Sequence, residues 1–590
     1  MAVGGAVRQN LHDSSPESGE ERLRSFAKGG HMIDGGISVS VGTGSRSRRP
    51  ALPAVFALAV VLAACAVAPA SATSLVNLLV NPGAEQQPVT SNGWIQESGD
   101  WTIARGDDAG GIGTHTDANF FWGGQSASAE LYQEVDLSGY RAWLGDDGLH
   151  SALFVAYLGS WSGDGDTSQV VVEARDEAGA VLGSVDSGAS NPDVWTRVQM
   201  KLNLPGGTAR IRVRLLAVRA AGSDNNGYFD DVGLYLPPPN LLVNPGAELQ
   251  PVTNNGWTQA SGDWTIPRGD DAGGIGTHSG DNFFWGGQSA AAELYQDVDL
   301  SQYRGWLGDG TQRVFFAGYY GSWSGDNDEA QFEIQLLDDL GGVVDTETTP
   351  FASPNFWARA TRELLVPPEV ATVRVILRSQ RLTGADNNGY FDDVGLYLPA
   401  LNLLVNPGAE LQPVTNNGWF ATFGDWTIPR GDDDGGIGTH SGSNFFWAGL
   451  TQTGLLRQVY DVSSYRGWIG NGAQTARLIA YKGSFSGDAD TAQIQLEAFD
   501  DPFQNSTTLL DVESSPDVWT RSELVLPLPA YVERLRSKLH AERVDGTNNN
   551  GYFDDMHLQI EAPDWLFDAN TLFRDGFEVG SAAAWSAQVP

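Results

Sequence analysis

Apolar and polar residues alternate strictly over short stretches of this chain. Arg210, Arg212 and Arg214 interleave with Ile211, Val213 and Leu215, and Thr372-Val373-Arg374-Val375 continues the pattern further on. A period of two puts one face in water and the other in a core, which predicts half-buried β-strands. Clusters of Gly, Asp, Asn and Ser break these runs at turn spacing, and no long stretch keeps a helical period. One stretch departs from the pattern. Residues 51–70 are apolar and Ala-rich, interrupted by Pro53 and Pro69, preceded by Arg46, Arg48 and Arg49 and followed by Ala70-Ser71-Ala72. Basic, apolar, then small residues is the order of a secretory signal peptide, expected over residues 46–72. No later stretch stays apolar for about 18 residues, so no membrane span is predicted after it.

The strand-like pattern recurs as a unit. Asn-Leu-Leu-Val-Asn-Pro-Gly-Ala-Glu stands at residues 77–85, 240–248 and 402–410, and each copy closes on Gly-Tyr-Phe-Asp-Asp, at 227–231, 389–393 and 551–555. A period of about 160 residues is that of a whole domain, far beyond the roughly 20–50 of solenoid repeats. The expected organisation is a polar leader over residues 1–45, in which Met32 offers a second start, and then the signal segment. Three β-sandwiches follow at 76–236, 240–398 and 401–560, with a tail at 561–590. Pro237-Pro238-Pro239 and Pro399-Ala400 are short, stiff linkers. Many short strands in each unit predict an all-β fold of three tandem two-sheet sandwiches.

Composition sharpens this in three ways. The 72 glycines and 19 tryptophans suit tight turns around aromatic cores. A net charge of -38 excludes a general nucleic-acid binder, which needs a basic face. The single cysteine, Cys65, excludes intrachain disulfides and multi-cysteine zinc sites. Leu62-Ala63-Ala64-Cys65 is similar to a bacterial lipobox, which implies lipidation of Cys65 and a membrane tether; a plain cut after Ala72 is the other reading. The plain cut is favoured, because strand-like sequence begins at Val76. The protein is expected to be exported, either secreted or held at the cell surface as an outer-membrane lipoprotein.

The opening Asn-Leu-Leu-x-Asn-Pro-Gly-x-Glu, the Gly-Trp that follows (Trp94, Trp257, Trp419) and the closing Gly-Tyr-Phe-Asp-Asp resemble the galactose-binding-like jelly rolls, carbohydrate-binding modules among them. Tyr303-Arg304-Gly305-Trp306-Leu307, followed by Gly321-Ser322-Trp323, is similar to the F-box-associated domain, a glycan-recognising version of that fold. The resemblance covers residues 76–560 and implies jelly-roll β-sandwiches. It also implies a structural calcium ion where first and last strands meet, held by Glu85 with Asp231, Glu248 with Asp393, and Glu410 with Asp555. Carboxylates suit a hard cation, and strand alternation lets only one aspartate of each closing pair face it. One departure stands out: the aromatic loop of glycan-binding F-box-associated domains is replaced here by Asp224-Asn225-Asn226 and its counterparts, so that contact set does not transfer.

The candidate ligand site is the block that changes least among the copies. It contributes Arg105, Asp107, Asp108, His115 and Trp122; then Arg268, Asp270, Asp271, His278 and Trp285; then Arg430, Asp432, Asp433, His440 and Trp447. Aromatic faces and planar polar groups are what a sugar needs. Against this, each histidine suits a structural turn, and Phe120-Phe121-Trp122 would alternate core, surface, core, leaving one aromatic exposed per copy. Ser162-Gly163-Asp164-Gly165-Asp166 reads as a polar hairpin turn, and the change from Trp161 and Trp323 to Phe485 reads as a packing swap.

No nucleophile elbow, zinc-protease helix or phosphate loop occurs, and no separate domain is left over for catalysis. Three near-identical copies suit avidity better than chemistry. The expected function is non-catalytic, multivalent carbohydrate binding outside the cell, with calcium as a structural ion. A structural or adhesion protein whose sandwiches contact protein partners or act as spacers is the alternative. The tail, with Leu572-Phe573-Arg574-Asp575-Gly576-Phe577-Glu578, resembles a segment found on secreted gammaproteobacterial proteins.

Overall fold

A computed structural model describes residues 74–562, apart from 107–111, 162, 270–274, 432–436, 486, 501–504 and 513. The expected leader, signal segment, Cys65 and nearly all of the tail lie outside the described residues. In the first repeat the strands are β1 (Val76–Asn77), β2 (Ile95–Ser98), β3 (Phe121–Trp122), β4 (Ser128–Asp136) and β5 (His150–Gly159). They continue as β6 (Thr167–Arg175), β7 (Val181–Asp186), β8 (Thr196–Leu204), β9 (Arg210–Val218) and β10 (Tyr228–Leu236). They form two antiparallel sheets, one ordered β2-β4-β9-β6-β7 and the other β1-β10-β5-β8 with β3 also on β10. The second and third repeats show the same pair of sheets, without a counterpart of β1. The fold is all-β, a set of jelly-roll β-sandwiches.

Alternation explains the first sheet. Along β9, Ile211, Val213, Leu215 and Ala217 point inward while Arg210, Arg212 and Arg214 point out. The outward arginines pair across strands: Arg214 meets Glu130 at 2.6 Å and Glu173 at 3.0 Å. Such half-exposed pairs keep register and solubility and add little stability. The core between the sheets is aromatic, with Trp94 edge-on to Phe121 at 4.9 Å and Trp101 tilted on Phe229.

β10 breaks the alternation because every residue in it is buried. One face meets the core; the other is covered by residues 112–120 and by a neighbouring repeat. Phe120, Trp122 and Tyr228 form a second, outer cluster with Ile112 and Trp195, and the Trp195 indole N–H donates to the Gly113 carbonyl at 3.0 Å. All three aromatics of Phe120-Phe121-Trp122 are therefore buried, where the sequence predicted one exposed. The physical reason is a loop folded over the outside of the sheet.

A short helical turn follows β4 and its counterpart in each later repeat: α1 (Arg141–Leu144), α2 (Arg304–Leu307) and α3 (Arg466–Ile469). Each packs on the last strand of another repeat: α1 on Gly389–Tyr397, α2 on Gly551–Ile560 and α3 on β10. The third seam runs back to the first repeat, so the seams close a circuit. Cores are shared across them: Phe315, Ala317 and Tyr397 belong to the first repeat's cluster, and Leu75, Leu153, Val155 and Tyr235 to the third's. Ser74 bridges Glu561, its N–H donates to the Pro399 carbonyl at 2.8 Å, and its hydroxyl accepts from the Leu401 N–H at 2.9 Å.

Candidate functional site

The residues singled out from the sequence separate into two clusters in each repeat. The first is an acid–histidine cage. β10 and β5 slip register between Asp230 and Gly233, and Asp231 takes a left-handed φ of 48°. The bulge cancels the alternation that would have turned one aspartate away, so both reach the same loop. Asp230 accepts the N–H groups of His115 at 3.1 Å and Thr116 at 3.2 Å, while Asp231 meets His115 Nδ1 at 2.6 Å and the Thr116 hydroxyl at 3.0 Å. The expectation of a single inward aspartate is thus corrected.

Burial, and the neighbouring Asp231 carboxylate after it, push the Asp230 carboxyl well above the usual range; Asp392 and Asp554 behave alike. The His115 ring stacks on Tyr157 with centroids 3.6 Å apart, and His278 on Tyr319 and His440 on Tyr481 repeat this. His278 has a further partner, Asp146 of the first repeat, at 3.4 Å. Burial opposes its proton, but Asp146 and Asp393 outweigh that and raise it to about 9.

Glu85 closes the cage from the opening loop. Its carboxylate accepts the N–H groups of Ala118 at 3.1 Å and Asn119 at 2.9 Å, and burial raises its pKa. Of the acids expected to hold calcium, Asp230 Oδ1 and Asp231 Oδ1 lie 3.7 and 3.8 Å from where a Cβ on Gly83 would stand, whereas Glu85 brings only its Cγ as near and turns its carboxylate to the Ala118 and Asn119 N–H groups. The paired aspartates stand in the same place beside Gly246 and Gly408. This donor set fits a hard, oxygen-seeking cation, which would share its carboxylates with the loop N–H groups. Among the described residues, His115, Asp230 and Asp231 are close enough to offer ligands to one ion.

The second cluster lies where β5 ends and β10 begins. The Arg105 guanidinium sits 4.8 Å from the centre of the Trp122 ring, as Arg268 and Arg430 sit on Trp285 and Trp447 at 4.9 and 4.5 Å. Trp122 is buried, and its indole N–H has no hydrogen-bond partner among the described residues; the same holds for Trp285 and Trp447. Arg105 also reaches Asp224 at 3.8 Å. Beside it the Tyr228 hydroxyl donates to Asn226 at 2.6 Å, and the Asn226 amide donates to Asp164 at 2.7 Å. Asp107, Asp108, Asp270, Asp271, Asp432 and Asp433 lie outside the described residues.

The same end presents an aromatic ring to solvent. Trp161 is 42% exposed, Trp323 41% and Phe485 36%, each at the same turn of its repeat. Each ring folds over the glycine two residues on (Gly163, Gly325, Gly487), where a Cβ would collide with it. The packing swap read from the sequence is therefore corrected: the aromatic is held flat on its own turn, outside any core. The turn is anchored by Asp166, wholly buried, whose carboxylate accepts the N–H groups of Ala220, Ala221 and Asn226 at 2.6, 3.2 and 2.7 Å.

The sequence block thus divides, His115 going to the cage and Arg105 with Trp122 to the aromatic end. Trp195 stands between them, 6.1 Å from His115 and 6.5 Å from Tyr228 between ring centres. Asp166 was read from the sequence as part of a polar hairpin turn, whereas Trp195 was not picked; aligning the copies would have found it, since Trp357 and Trp519 hold the same place.

No protein-family model matches the sequence, and no curated protein matches it. Solved structures similar in fold include the tandem family 22 carbohydrate-binding modules of Paenibacillus barcinonensis Xyn10C, at 16% identity and a TM-score of 0.20, covering 55% of this chain and 98% of that one. A family 61 module solved with β-1,4-galactotriose is 17% identical at a TM-score of 0.21, covering 28% and 100%. A family 16 module is 19% identical at 0.20, covering 27% and 99%. The fold assignment rests on the sheet order itself. The chain is an all-β array of jelly-roll β-sandwiches, and carbohydrate-binding modules are among the solved structures it is similar to.

Proposed function

We propose that the protein is a non-catalytic carbohydrate binder outside the cell, with one site per repeat at the end that carries Trp161, Trp323 or Phe485. The observation that carries this reading is the exposed ring pinned flat on a glycine turn, three times over, beside a paired amide and carboxylate. A flat aromatic offers its face to the C–H side of a sugar, and Asn226, Asp164 and Asp224 are planar groups suited to its hydroxyls. The outer cluster beneath them, with Arg105 on Trp122, keeps that end rigid before a ligand arrives.

Three such sites in one chain act multivalently. In a glycan array probed with the full chain and calcium, polysaccharide should bind. Replacing Trp161, Trp323 and Phe485 together by Ala should lower apparent affinity by about 10²-fold or more, each single replacement by much less. Silence across the array, or a triple variant that binds like the parent, would sink the reading. A structural calcium ion at Glu85 and Asp231 and their counterparts belongs to the same reading, supported by the paired aspartates beside Gly83, Gly246 and Gly408.

A further inference from the structure

The three seams bring equivalent elements together, the helical turn of one repeat on the last strand of another. An arginine two residues after Trp195, Trp357 or Trp519 stands at each one. Arg197 donates to the Gly467 carbonyl at 3.2 Å, and Arg359 donates to those of Ala142 at 2.9 Å and Trp143 at 3.1 Å. The third, Arg521, stands 3.9 Å from Asp309. Carbonyls at the end of a helical turn have no partner within it and carry partial negative charge, so a guanidinium from outside satisfies both needs.

On two of the seams a tyrosine of the last strand completes the grip, and Gln559 stands in its place on the other. Tyr397 accepts the Trp143 N–H at 3.1 Å, and Tyr235 donates to the Ser464 carbonyl at 3.5 Å. Asn77 donates to that same carbonyl at 2.7 Å. Close backbone approach does the rest. Gly305 lies against the Asp555 carbonyl and Gly467 against that of Asp231, with no room for a Cβ on either. Arg466, nearly buried, pairs with Asp117 of the first repeat at 2.5 Å and with Glu533 of its own at 2.9 Å.

Every repeat therefore has two different faces, a helical turn and an acid–histidine cage backed by its arginine, and each face fits the other. An interface of this head-to-tail kind makes an open filament unless the rotation closes. Here it closes after three, with the third turn on the first cage. We propose that the repeat is a self-closing protomer, whose partner is another copy of itself, and that the seams rather than the proline linkers hold the three together. The cage residues His115, Thr116 and Asp231 then shape the docking face, which accounts for their small variation among the copies independently of any ligand.

A single cut tests this. Pro239 is exposed in the first linker, so a protease site inserted there separates the first repeat covalently from the rest of the folded full chain. Seams that hold should keep both pieces in one particle of unchanged mass at about 1 µM by size exclusion and native mass spectrometry. Arg197→Ala or Arg359→Ala alone weakens one of the two seams that grip the first repeat. Each should speed release at least about tenfold, and the double variant should free the repeat. The uncut variants should keep the parent's near-ultraviolet circular dichroism, which separates loss of docking from loss of fold. The proposal fails if the first repeat leaves the parent after the cut, or if it stays with the double variant as firmly as with the parent.

Discussion

At the scale of single residues, the aromatic side chains sort by what covers each face. Trp122 looks like a sugar platform in the sequence, yet it is buried under Arg105, its indole N–H without a partner among the described residues; Trp161, which looked like packing, is the one in water. A buried donor without a partner costs about 1–3 kcal/mol, which offsets part of the packing a smaller ring loses, so Trp122→Phe should destabilise by no more than about 1–2 kcal/mol, read as the urea midpoint. Ligand affinity should stay within about twofold, because the ring supports the site from below. Gly163→Ala has the opposite profile: its Cβ would meet the Trp161 ring, so the platform should tilt and binding at that repeat be lost while the melting temperature barely moves. Residue type was thus legible and exposure was not. The face a ring turns to solvent depends on the residue 112–120 loop lying across the sheet, and nothing in local alternation records that.

At the scale of elements, β9 was readable because it keeps strict alternation with one face wet. β10 was not, because both faces are covered and its bulge puts Asp230 and Asp231 on the same loop. A slip of this sort is invisible in a five-residue phrase, although the left-handed Asp231, matched by Asp393 and Asp555, marks it in the backbone. β5 carries a separate liability. His150 is buried against Trp143 with ring centres 4.1 Å apart; burial, and after it the Arg359 charge, pull its pKa down to about 3. Its native form is neutral, whereas the unfolded chain takes up a proton near pH 6.5. The stability this neutral histidine supports is complete above that pH and is lost as pH falls toward 3. His150→Gln should therefore flatten that part of the stability–pH curve, measured by urea unfolding at closely spaced pH values.

At the scale of the whole molecule, the three-copy pattern was plain in the sequence, and the closed circuit was not, since its contacts join residues hundreds of positions apart. The proposed calcium ions belong to this scale, because their acids sit on the docking faces. Excess chelator should lower the melting temperature by several degrees, and restored calcium should recover it. An unchanged midpoint would remove the ion from the account. Fixed seams also bear on avidity: platforms held in one body pay less ordering entropy than platforms on loose linkers, so the triple array should favour ligands whose repeats match its spacing.

The seam between third and first repeats has one more consequence, in time rather than in space. Leu75, Leu153, Val155 and Tyr235 are made early in the chain but complete a core that belongs to its last third. Until that third has folded, they form a bare apolar patch on a finished sandwich, the sort of surface on which partly folded chains aggregate. Assembly is accordingly expected to have two phases, a fast one within repeats and a slower one as the last repeat docks. The second should appear as a late loss of binding to an apolar dye during refolding, and Arg197→Ala should slow it while leaving the first untouched.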